Sequence, residues 1–216
     1  MDELRLPAFY PLLDTALLTI DPIVAAQAIL DSGARILQFR HKGHFSRAVF
    51  GAAERIAELC RADNATFIVN DRADIAIMLQ AGLHVGQDDL APSDARRLMG
   101  DRAIIGFSTH NEAQFLAAVH EPVDYVALGP LFGTTSKDNP DPTVGLEELR
   151  RLRHFATKPL VAIGGITRSN ALAALEAGAD SVAVIGDLLA LCTCAADIEK
   201  RTEEWLQLTG SPARVL

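Results

Sequence analysis

The sequence predicts a single-domain α/β protein, a (β/α)8 TIM barrel spanning residues 1–216. Three observations support this fold class. Eight short apolar runs alternate with amphipathic helical patterns along about 200 residues, a typical length for such a barrel. Each run is nearly continuously apolar, as expected for a strand buried on both faces of a parallel sheet. The polar residues that packing does not explain stand at the ends of these strands, where barrels build their sites.

The elements can be placed in chain order. The predicted strands are Phe9–Leu13, Ile36–Phe39, Thr66–Val69, Leu83–Val85, Ala103–Phe107, Tyr125–Leu128, Leu160–Ile163 and Ser181–Ile185, and helical patterns include Arg47–Ala62, Asn111–Val119 and Leu146–Phe155. A doubly wound open sheet is the alternative. The closed barrel is favoured because no G-x-G-x-x-G motif follows the first strand and the polar motifs are spread over many strand ends.

A local pattern of helix, glycine and apolar strand recurs along the chain. It covers Ala25–Phe39, Ala73–Val85 and Asn170–Ile185, with Gly33, Gly82 and Gly178 before the strands. A residue with a Cβ is strained in the left-handed conformation that commonly ends a helix. We therefore expect these three glycines to be left-handed helix C-caps.

Composition excludes several function classes. Hydrophobic residues make up 49% of the chain, and the net charge of −8 argues against an extended face for nucleic acid or anionic lipid. No secretory leader or membrane-spanning apolar run is visible. Cysteines 60, 192 and 194 are too few for a disulfide framework, and the last two lack neighbouring metal ligands. A reducing, cytoplasmic location is expected.

Glycine-bearing turns follow the last two predicted strands, as Gly164-Gly165 and Ile185-Gly186. Glycine lets backbone N–H groups approach a ligand closely, and helix N-termini add partial positive charge. Because barrels commonly hold a phosphate at this place, the two loops together predict a phosphate site. The alternative is that these glycines only make tight turns.

Carboxylates follow the third and fourth strands. Asp71 stands beside Asn70, and Asp89 stands close to Gln87. Hard oxygen ligands from adjacent strand ends suit Mg2+, so the pair predicts a magnesium site. Each Asp could instead cap the helix that follows it. On pattern alone, Asp88 is as good a ligand as Asp89.

Two cations, Arg40 and Lys42, follow the second strand and alternate outward from it. Both are expected to point into the barrel mouth toward a diphosphate, because cations at these positions can bind phosphate oxygens. An exposed salt-bridged pair is the alternative.

The longest connection, residues 130–145, carries three prolines. Long connections in compact domains are often functional lids. Thr134, Ser136 and Lys137 in this connection offer hydroxyls and one cation to a second anion.

Ser108 and His110 follow the fifth strand, but they lie in one loop without a G-x-S-x-G elbow, so a Ser-His nucleophile is not expected. Thr109 or Asn111 is the expected cap of the next helix. That leaves Ser108 as a hydrogen-bond donor to a ligand. His84 lies inside an apolar strand and is interpreted as a satisfied core residue.

Taken together, seven segments resemble the thiamine phosphate synthase family from Gln38 to Gly186. The motifs of that family read QLREK, NDR, HLGQED, STHN, GPVFPTxTK, AIGGI and AVVS. Here they read QFRHK, NDR, HVGQDD, STHN, GPLFGTTSK, AIGGI and AVIG. Seven motifs in the right order, all at predicted strand ends, are far more specific than any single motif.

The resemblance implies a Mg2+-dependent transfer between two small molecules. Diphosphate leaves an aminopyrimidine methylene in a dissociative displacement, and the nitrogen of a thiazole phosphate, or of its carboxylated precursor, captures the cation. The implied pyrimidine-diphosphate residues are Gln38, Arg40, Lys42, Asn70 and Ser108, and the implied Mg2+ ligands are Asp71 and Asp89. The implied thiazole-phosphate residues are Thr134, Ser136, Gly165, Ile185 and Gly186, with Lys137 bridging toward the diphosphate. Of these, the expected catalytic residues are Arg40, Lys42, Ser108 and Lys137.

Several departures from the family pattern matter, and four of them are substitutions. His41 replaces a glutamate and is expected to face away from the site, while Gly133 replaces the proline before Thr134 and is expected to make the lid looser. Ser136 replaces threonine and keeps a hydroxyl. Gly186 replaces serine, which removes one phosphate hydrogen bond and keeps the backbone N–H.

Three other functions compete with a synthase. A thiazole tautomerase-like branch of the same superfamily lacks the acidic metal pair that Asp71 and Asp89 supply here. A phosphosugar isomerase or epimerase would have to use His110 with Asp71 as its acid and base. A degenerate barrel that only binds phosphorylated ligands is favoured by Gly133 and Gly186. The sequence leaves open whether copies of the chain form a homo-oligomer.

Overall fold

Eight parallel strands close into one barrel in the computed structural model, which describes residues 4–133 and 142–210. The strands are β1 (Phe9–Asp14), β2 (Ile36–Arg40), β3 (Thr66–Asn70), β4 (Gly82–Val85), β5 (Ile105–Thr109), β6 (Tyr125–Leu128), β7 (Leu160–Ile163) and β8 (Ser181–Val184). The predicted (β/α)8 barrel is confirmed. The open doubly wound sheet is wrong, because β1 also pairs with β8, from Phe9 against Val182 to Pro11 against Val184.

Helices follow the strands and cover the outside of the barrel. They are α1 (Pro22–Asp31), α2 (Arg47–Ala62), α3 (Ala73–Leu79), α4 (Pro92–Met99), α5 (Glu112–Ala118), α6 (Leu146–Arg153), α7 (Ala171–Glu176), α8 (Gly186–Leu189) and α9 (Ala195–Thr209). The side chain of Asn111 accepts from the N–H of Gln114 at 3.0 Å, so Asn111 is the cap of α5. Within residues 4–133 and 142–210, none of the helices has the length and apolarity needed to cross a bilayer.

Two apolar layers stabilise the barrel. The larger one lies between the strands and the helices, and it includes the stacked rings of Phe9 and Trp205, with centroids 5.4 Å apart. The smaller one fills the barrel interior and contains Tyr10, Leu12, Ile36, Ile68, Tyr125, Ala127, Val161 and Ala183. Because side chains alternate along each strand, each strand presents one face to each layer. All strands except β4 and β5 contribute buried apolar residues to both layers.

Two of the three predicted glycine caps are confirmed. Gly33 and Gly178 have φ values of +112° and +110° after α1 and α7. Gly82 is not a cap, since it begins β4, and Gln80 takes the left-handed conformation after α3 with φ +54°. A Cβ on Gly82 would lie 2.3 Å from Cδ1 of Ile68, so close packing between strands requires this glycine.

The three cysteines are free, as expected for a chain without a disulfide framework. Cys60 and Cys192 are buried, and the thiol of Cys192 donates to the carbonyl of Leu188 at 3.3 Å. Cys194 is exposed at the start of α9, where the side chain of Asp197 accepts from its N–H. These contacts are structural.

Candidate functional site

A cavity of about 350 Å³ opens at the carboxyl-terminal ends of the strands. All ten predicted site residues in the described part of the chain line it: Gln38, Arg40, Lys42, Asn70, Asp71, Asp89, Ser108, Gly165, Ile185 and Gly186. The other three, Thr134, Ser136 and Lys137, lie outside the described residues, as does half of the predicted lid. Ten predicted positions from six strand ends therefore meet at one cavity.

Strand geometry explains why these residues meet. Residues two apart on a strand share a face, and in a closed barrel one face of every strand points inward. Gln38 and Arg40 share the inner face of β2, and His84 and Ser108 hold the corresponding inward positions of β4 and β5. A parallel barrel places all these strand ends at the same mouth.

Arg40 is held by a buried carboxylate. Its guanidinium forms an ion pair with Asp14, whose side chain is only 3% exposed at the end of β1. A second oxygen of Asp14 accepts from the N–H of Ala16 at 3.0 Å. The guanidinium of Arg40 is always charged and carries several N–H donors. The ion pair with Asp14 uses part of these donors, and the remaining N–H groups can bind an anion.

Lys42 and Asp71 form the second ion pair at the mouth. Nζ of Lys42 lies 2.5 Å from Oδ2 of Asp71, and half of the Lys42 side chain is exposed. Burial raises the pKa of Asp71, the hydrogen bond from Lys42 opposes that shift, and the neighbouring carboxylate of Asp89 adds to it. Two carboxylates are thus gathered beside one ammonium. Both cations are salt-bridged, as the alternative expected, Arg40 to Asp14 and Lys42 to Asp71, and both also line the cavity.

The helix-cap alternative for the two carboxylates is also wrong. The caps of α3 and α4 are Arg72 and Ala91, and neither helix has a side-chain cap hydrogen bond. Asp71 instead has a left-handed φ of +64°, an unusual conformation that is common at functional sites. Asp89 accepts from the N–H of Gly86 at 2.8 Å and lines the cavity, whereas Asp88 is not among the lining residues.

The donor set fits Mg2+. Asp71 and Asp89 supply hard oxygen atoms, which are the ligands that this ion prefers. In residues 4–133 and 142–210, no three His, Cys, Asp or Glu side chains are grouped so that they could hold a metal ion together. Two protein carboxylates match the usual Mg2+ arrangement in which substrate phosphates and water complete the shell.

Asn70 presents a buried donor to the cavity. Its side-chain Nδ2 has no hydrogen-bond partner among the described residues, although the residue is only 8% exposed. An unpaired buried donor is costly in free energy, so such a group in a cavity points to a bound acceptor.

Ser108 is bonded to a histidine from the neighbouring strand. Its Oγ lies 2.8 Å from Nε2 of His84, while His110 bonds through Nδ1 to the carbonyl of Gly129 at 2.6 Å. Burial lowers the pKa of His84 to about 4. His84 is buried and bonded at both nitrogens, as the core interpretation expected, but it also lines the cavity.

The glycine loops lie on the other side of the mouth. Gly164 and Gly165 have φ values of +90° and +66°, and a Cβ on Gly165 would lie 2.5 Å from the carbonyl oxygen of Gly133. Within the described residues, the N–H groups of Gly165 and Gly186 have no hydrogen-bond acceptor. Both loops therefore bring glycines with these unpaired backbone N–H groups to the cavity wall.

The predicted site residues do not include Asp14, which pairs with Arg40, or the polar lining residues His84, Thr167 and Asp187. Asp14 was overlooked because the first strand was predicted to end at Leu13, although an acid at a strand end follows the rule used elsewhere. His84 was assigned to the core because apolar residues flank it. His41 does face away, as expected, since its ring bonds to Thr15 and to the carbonyl of His44.

A family model described as thiamine monophosphate synthase matches residues 9–188 of the chain. A thiamine-phosphate synthase of Koribacter versatilis is 44% identical over 96% of this chain and 98% of the relative. A thiamine-phosphate synthase of Laribacter hongkongensis is 42% identical over 87% of each chain.

This chain is also similar to solved structures. A thiamine phosphate pyrophosphorylase from Pyrococcus furiosus superimposes with a TM-score of 0.83 at 29% identity, covering 94% of this chain and 96% of that chain. A structure titled native KDPGal has a TM-score of 0.74 over 95% of each chain, and at 14% identity it shows the shared barrel fold alone.

Proposed function

Because the chain belongs to the thiamine monophosphate synthase family, we propose that it joins hydroxymethylpyrimidine diphosphate to a thiazole phosphate, or to the carboxylated precursor of that thiazole, releasing diphosphate. It is a transferase of thiamine biosynthesis. The finer assignments, namely Mg2+, the residues and their roles, are the proposal. The observation that carries it is the single cavity that gathers two cations, two carboxylates and two glycine loops.

The diphosphate is assigned to the side of the cavity formed by β2 and β3. Arg40 and Lys42 bring two positive charges to one edge, and Asn70 adds its unpaired Nδ2 donor. Charge-assisted hydrogen bonds of this kind are stronger than neutral ones, and they stabilise the negative charge that builds up on a leaving diphosphate. Lys42 can exchange Asp71 for the diphosphate, because the ammonium is half exposed and flexible.

Mg2+ is assigned to Asp71 and Asp89. Bound there, the ion supplies Lewis-acid stabilisation of the leaving diphosphate. The two carboxylates hold the ion at the cation edge, and their hydrogen bonds to Lys42 and to the N–H of Gly86 orient them.

The thiazole phosphate is assigned to the loops after β7 and β8. Gly165 and Gly186 present amide N–H groups, and Ile185 lines the wall between them. Thr134, Ser136 and Lys137 are proposed to complete this site from the lid. The cavity thus holds the nucleophile opposite the leaving group, and such orientation supplies much of the rate when no covalent or acid–base step is needed.

The remaining expectations concern the chain as a whole. We propose one domain, because α9 returns to the barrel and stacks Trp205 on Phe9 of β1. Small phosphorylated molecules are the proposed partners, without nucleic acid or membrane, in the cytoplasm. A homo-oligomer stays open.

The proposal is tested by one assay with both substrates. The protein is incubated with hydroxymethylpyrimidine diphosphate, thiazole phosphate and Mg2+, and thiamine phosphate and diphosphate are followed. Turnover is expected, and it should disappear with EDTA and in Asp71→Ala. Turnover that survives both changes would remove the metal assignment. Binding of both substrates without product would show a degenerate barrel instead of a synthase.

A further inference from the structure

A chain of hydrogen bonds crosses the barrel interior and joins two residues of the cavity. Nε2 of Gln38 donates to the hydroxyl of Tyr10 at 2.9 Å, and that hydroxyl lies 2.9 Å from the hydroxyl of Tyr125. The Tyr125 hydroxyl is 3.0 Å from Nδ1 of His84, and Nε2 of His84 is 2.8 Å from Oγ of Ser108. The five residues come from five different strands, β1, β2, β4, β5 and β6.

Water has little access to this chain. Tyr10 and Tyr125 are 1% and 0% exposed, and Gln38 and His84 are 2% and 7% exposed. A buried polar hydrogen without an acceptor costs free energy, so the stable arrangement pairs every hydrogen. That requirement fixes the direction of the bonds.

The direction starts at Gln38, because an amide nitrogen only donates. Tyr10 accepts this hydrogen, and its own hydrogen has Tyr125 as its acceptor among the described residues. Tyr125 then gives its single hydrogen to Nδ1 of His84. The opposite direction would leave the Tyr10 hydrogen buried without an acceptor.

The direction determines the tautomer of His84. Since Nδ1 accepts, the ring carries its hydrogen on Nε2 and donates it to Oγ of Ser108. We propose that Tyr125 and His84 are positioning residues that make the hydroxyl of Ser108 a hydrogen-bond donor toward a ring nitrogen of the pyrimidine substrate. The identity of that ligand rests on the proposed function.

Packing holds the chain in this geometry. The ring of Tyr125 stacks on His84 with centroids 5.5 Å apart and an interplanar angle of 26°. Gly106, on the strand beside Tyr125, leaves room for it, since a Cβ there would lie 2.0 Å from Cζ of Tyr125. Within the described residues, Oγ of Ser108 bonds to no partner besides His84, so its own hydrogen remains for the cavity.

The tautomer can be measured in the ligand-free wild type by 15N NMR of labelled histidines, with His84 assigned through His84→Gln. Hydrogen on Nε2 is expected, and hydrogen on Nδ1 would overturn the proposal. Tyr125→Phe should remove the preference for Nε2. Tyr10→Phe is the matched control, since Tyr125 still has His84 as an acceptor and the tautomer should stay.

Kinetics test the action through Ser108. Ser108→Ala and Tyr125→Phe should each raise the KM for the pyrimidine diphosphate about tenfold, the loss expected for one hydrogen bond. The KM for thiazole phosphate should stay unchanged, and the double variant should be no worse than Ser108→Ala. Multiplied effects in the double variant, or no effect of Ser108→Ala, would contradict the proposal. Absence of turnover in the wild type would defeat the proposed function, while the tautomer measurement still decides the hydrogen-bond direction.

Discussion

The ammonium of Lys42 lies 2.5 Å from the carboxylate of Asp71, and the two residues belong to loops that follow neighbouring strands. The positive charge of Lys42 offsets the repulsion between the carboxylates of Asp71 and Asp89 while no other cation lies beside them. The Lys42–Asp71 pair therefore indicates how the mouth is organised: carboxylates are held together, and the lysine is free to move to an incoming anion.

If Asp71 is a ligand of Mg2+, Asp71→Asn should weaken Mg2+ binding more than it lowers the stability of the fold. We expect the Mg2+ concentration for half-maximal rate to rise by at least about tenfold, since changes around metal ligands cost roughly 10–100-fold in affinity. A titration of initial rate against Mg2+ measures this. Asp74→Asn is the matched control, because Asp74 is exposed and forms its ion pair with Arg72. An unchanged titration in Asp71→Asn would remove the assignment.

Asp14 should be needed to hold Arg40. Asp14→Asn leaves a guanidinium that is 17% exposed without its charged partner. We expect the free energy of unfolding to fall by about 1–3 kcal/mol and the KM for the pyrimidine diphosphate to rise. Urea denaturation and initial rates measure the two effects. The exposed pair of Asp94 with Arg97 provides the control, since Asp94→Asn should change stability by less than about 0.5 kcal/mol.

His84 should make stability depend on pH. Burial lowers its pKa in the folded protein to about 4, against 6.5 in the unfolded chain. As the pH falls, the unfolded state thus takes up the proton first. The contribution of His84 to the free energy of unfolding is therefore complete above pH 6.5 and is lost as the pH falls toward 4. Between pH 6.5 and 4 the free energy of unfolding should therefore fall by about 1.4 kcal/mol per pH unit, which is about 3 kcal/mol over this range.

Unfolding free energies of the wild type and of His84→Gln, measured from pH 7.5 to 4.5, check this slope. The difference between the two proteins should shrink as the pH falls, because only the wild type carries the His84 penalty. His154→Gln, at the exposed end of α6, should follow the wild type. Parallel curves for His84→Gln and the wild type would show that His84 does not titrate as proposed.

The sequence predicts the site well where local rules suffice. Inward residues at strand ends, such as Gln38 and Arg40, follow from the alternation of side chains along one strand. The bond from Tyr10 to Tyr125 does not, because 115 positions separate them and only the closure of the barrel brings them together. The mistaken cap at Gly82 has the same origin, since the contact that requires a glycine comes from another strand.

Gly186 should be a weak point of the thiazole-phosphate site. Serine is usual there in the family that the sequence resembles, and Gly186→Ser would add a hydroxyl donor beside the backbone N–H at the start of α8. We expect the KM for thiazole phosphate to fall by about tenfold or more, since a hydrogen bond to a charged group contributes about 1.5–3 kcal/mol. Gly186→Ala is the control without a donor. Equal values for the two variants would argue against a phosphate at this loop.

Gly106 and Gly51 make a matched pair for the packing around Tyr125. In Gly106→Ala the new methyl group would lie 2.0 Å from Cζ and 2.4 Å from the hydroxyl oxygen of Tyr125, so the ring must move. We expect the free energy of unfolding to fall by about 1–3 kcal/mol or more, because overpacking forces side chains and backbone to shift.

Gly51 lies inside α2, and a Cβ there would meet nothing within 4 Å. Gly51→Ala should therefore raise the free energy of unfolding by about 0.5–1 kcal/mol through helix propensity alone. Urea denaturation of both variants measures the opposite signs. Because Gly106→Ala displaces the Tyr125 hydroxyl, it should also disturb the tautomer of His84, which Gly51→Ala should leave intact. Equal stability changes in the two variants would mean that the Tyr125 ring can move aside for a methyl group at position 106 at little cost in free energy.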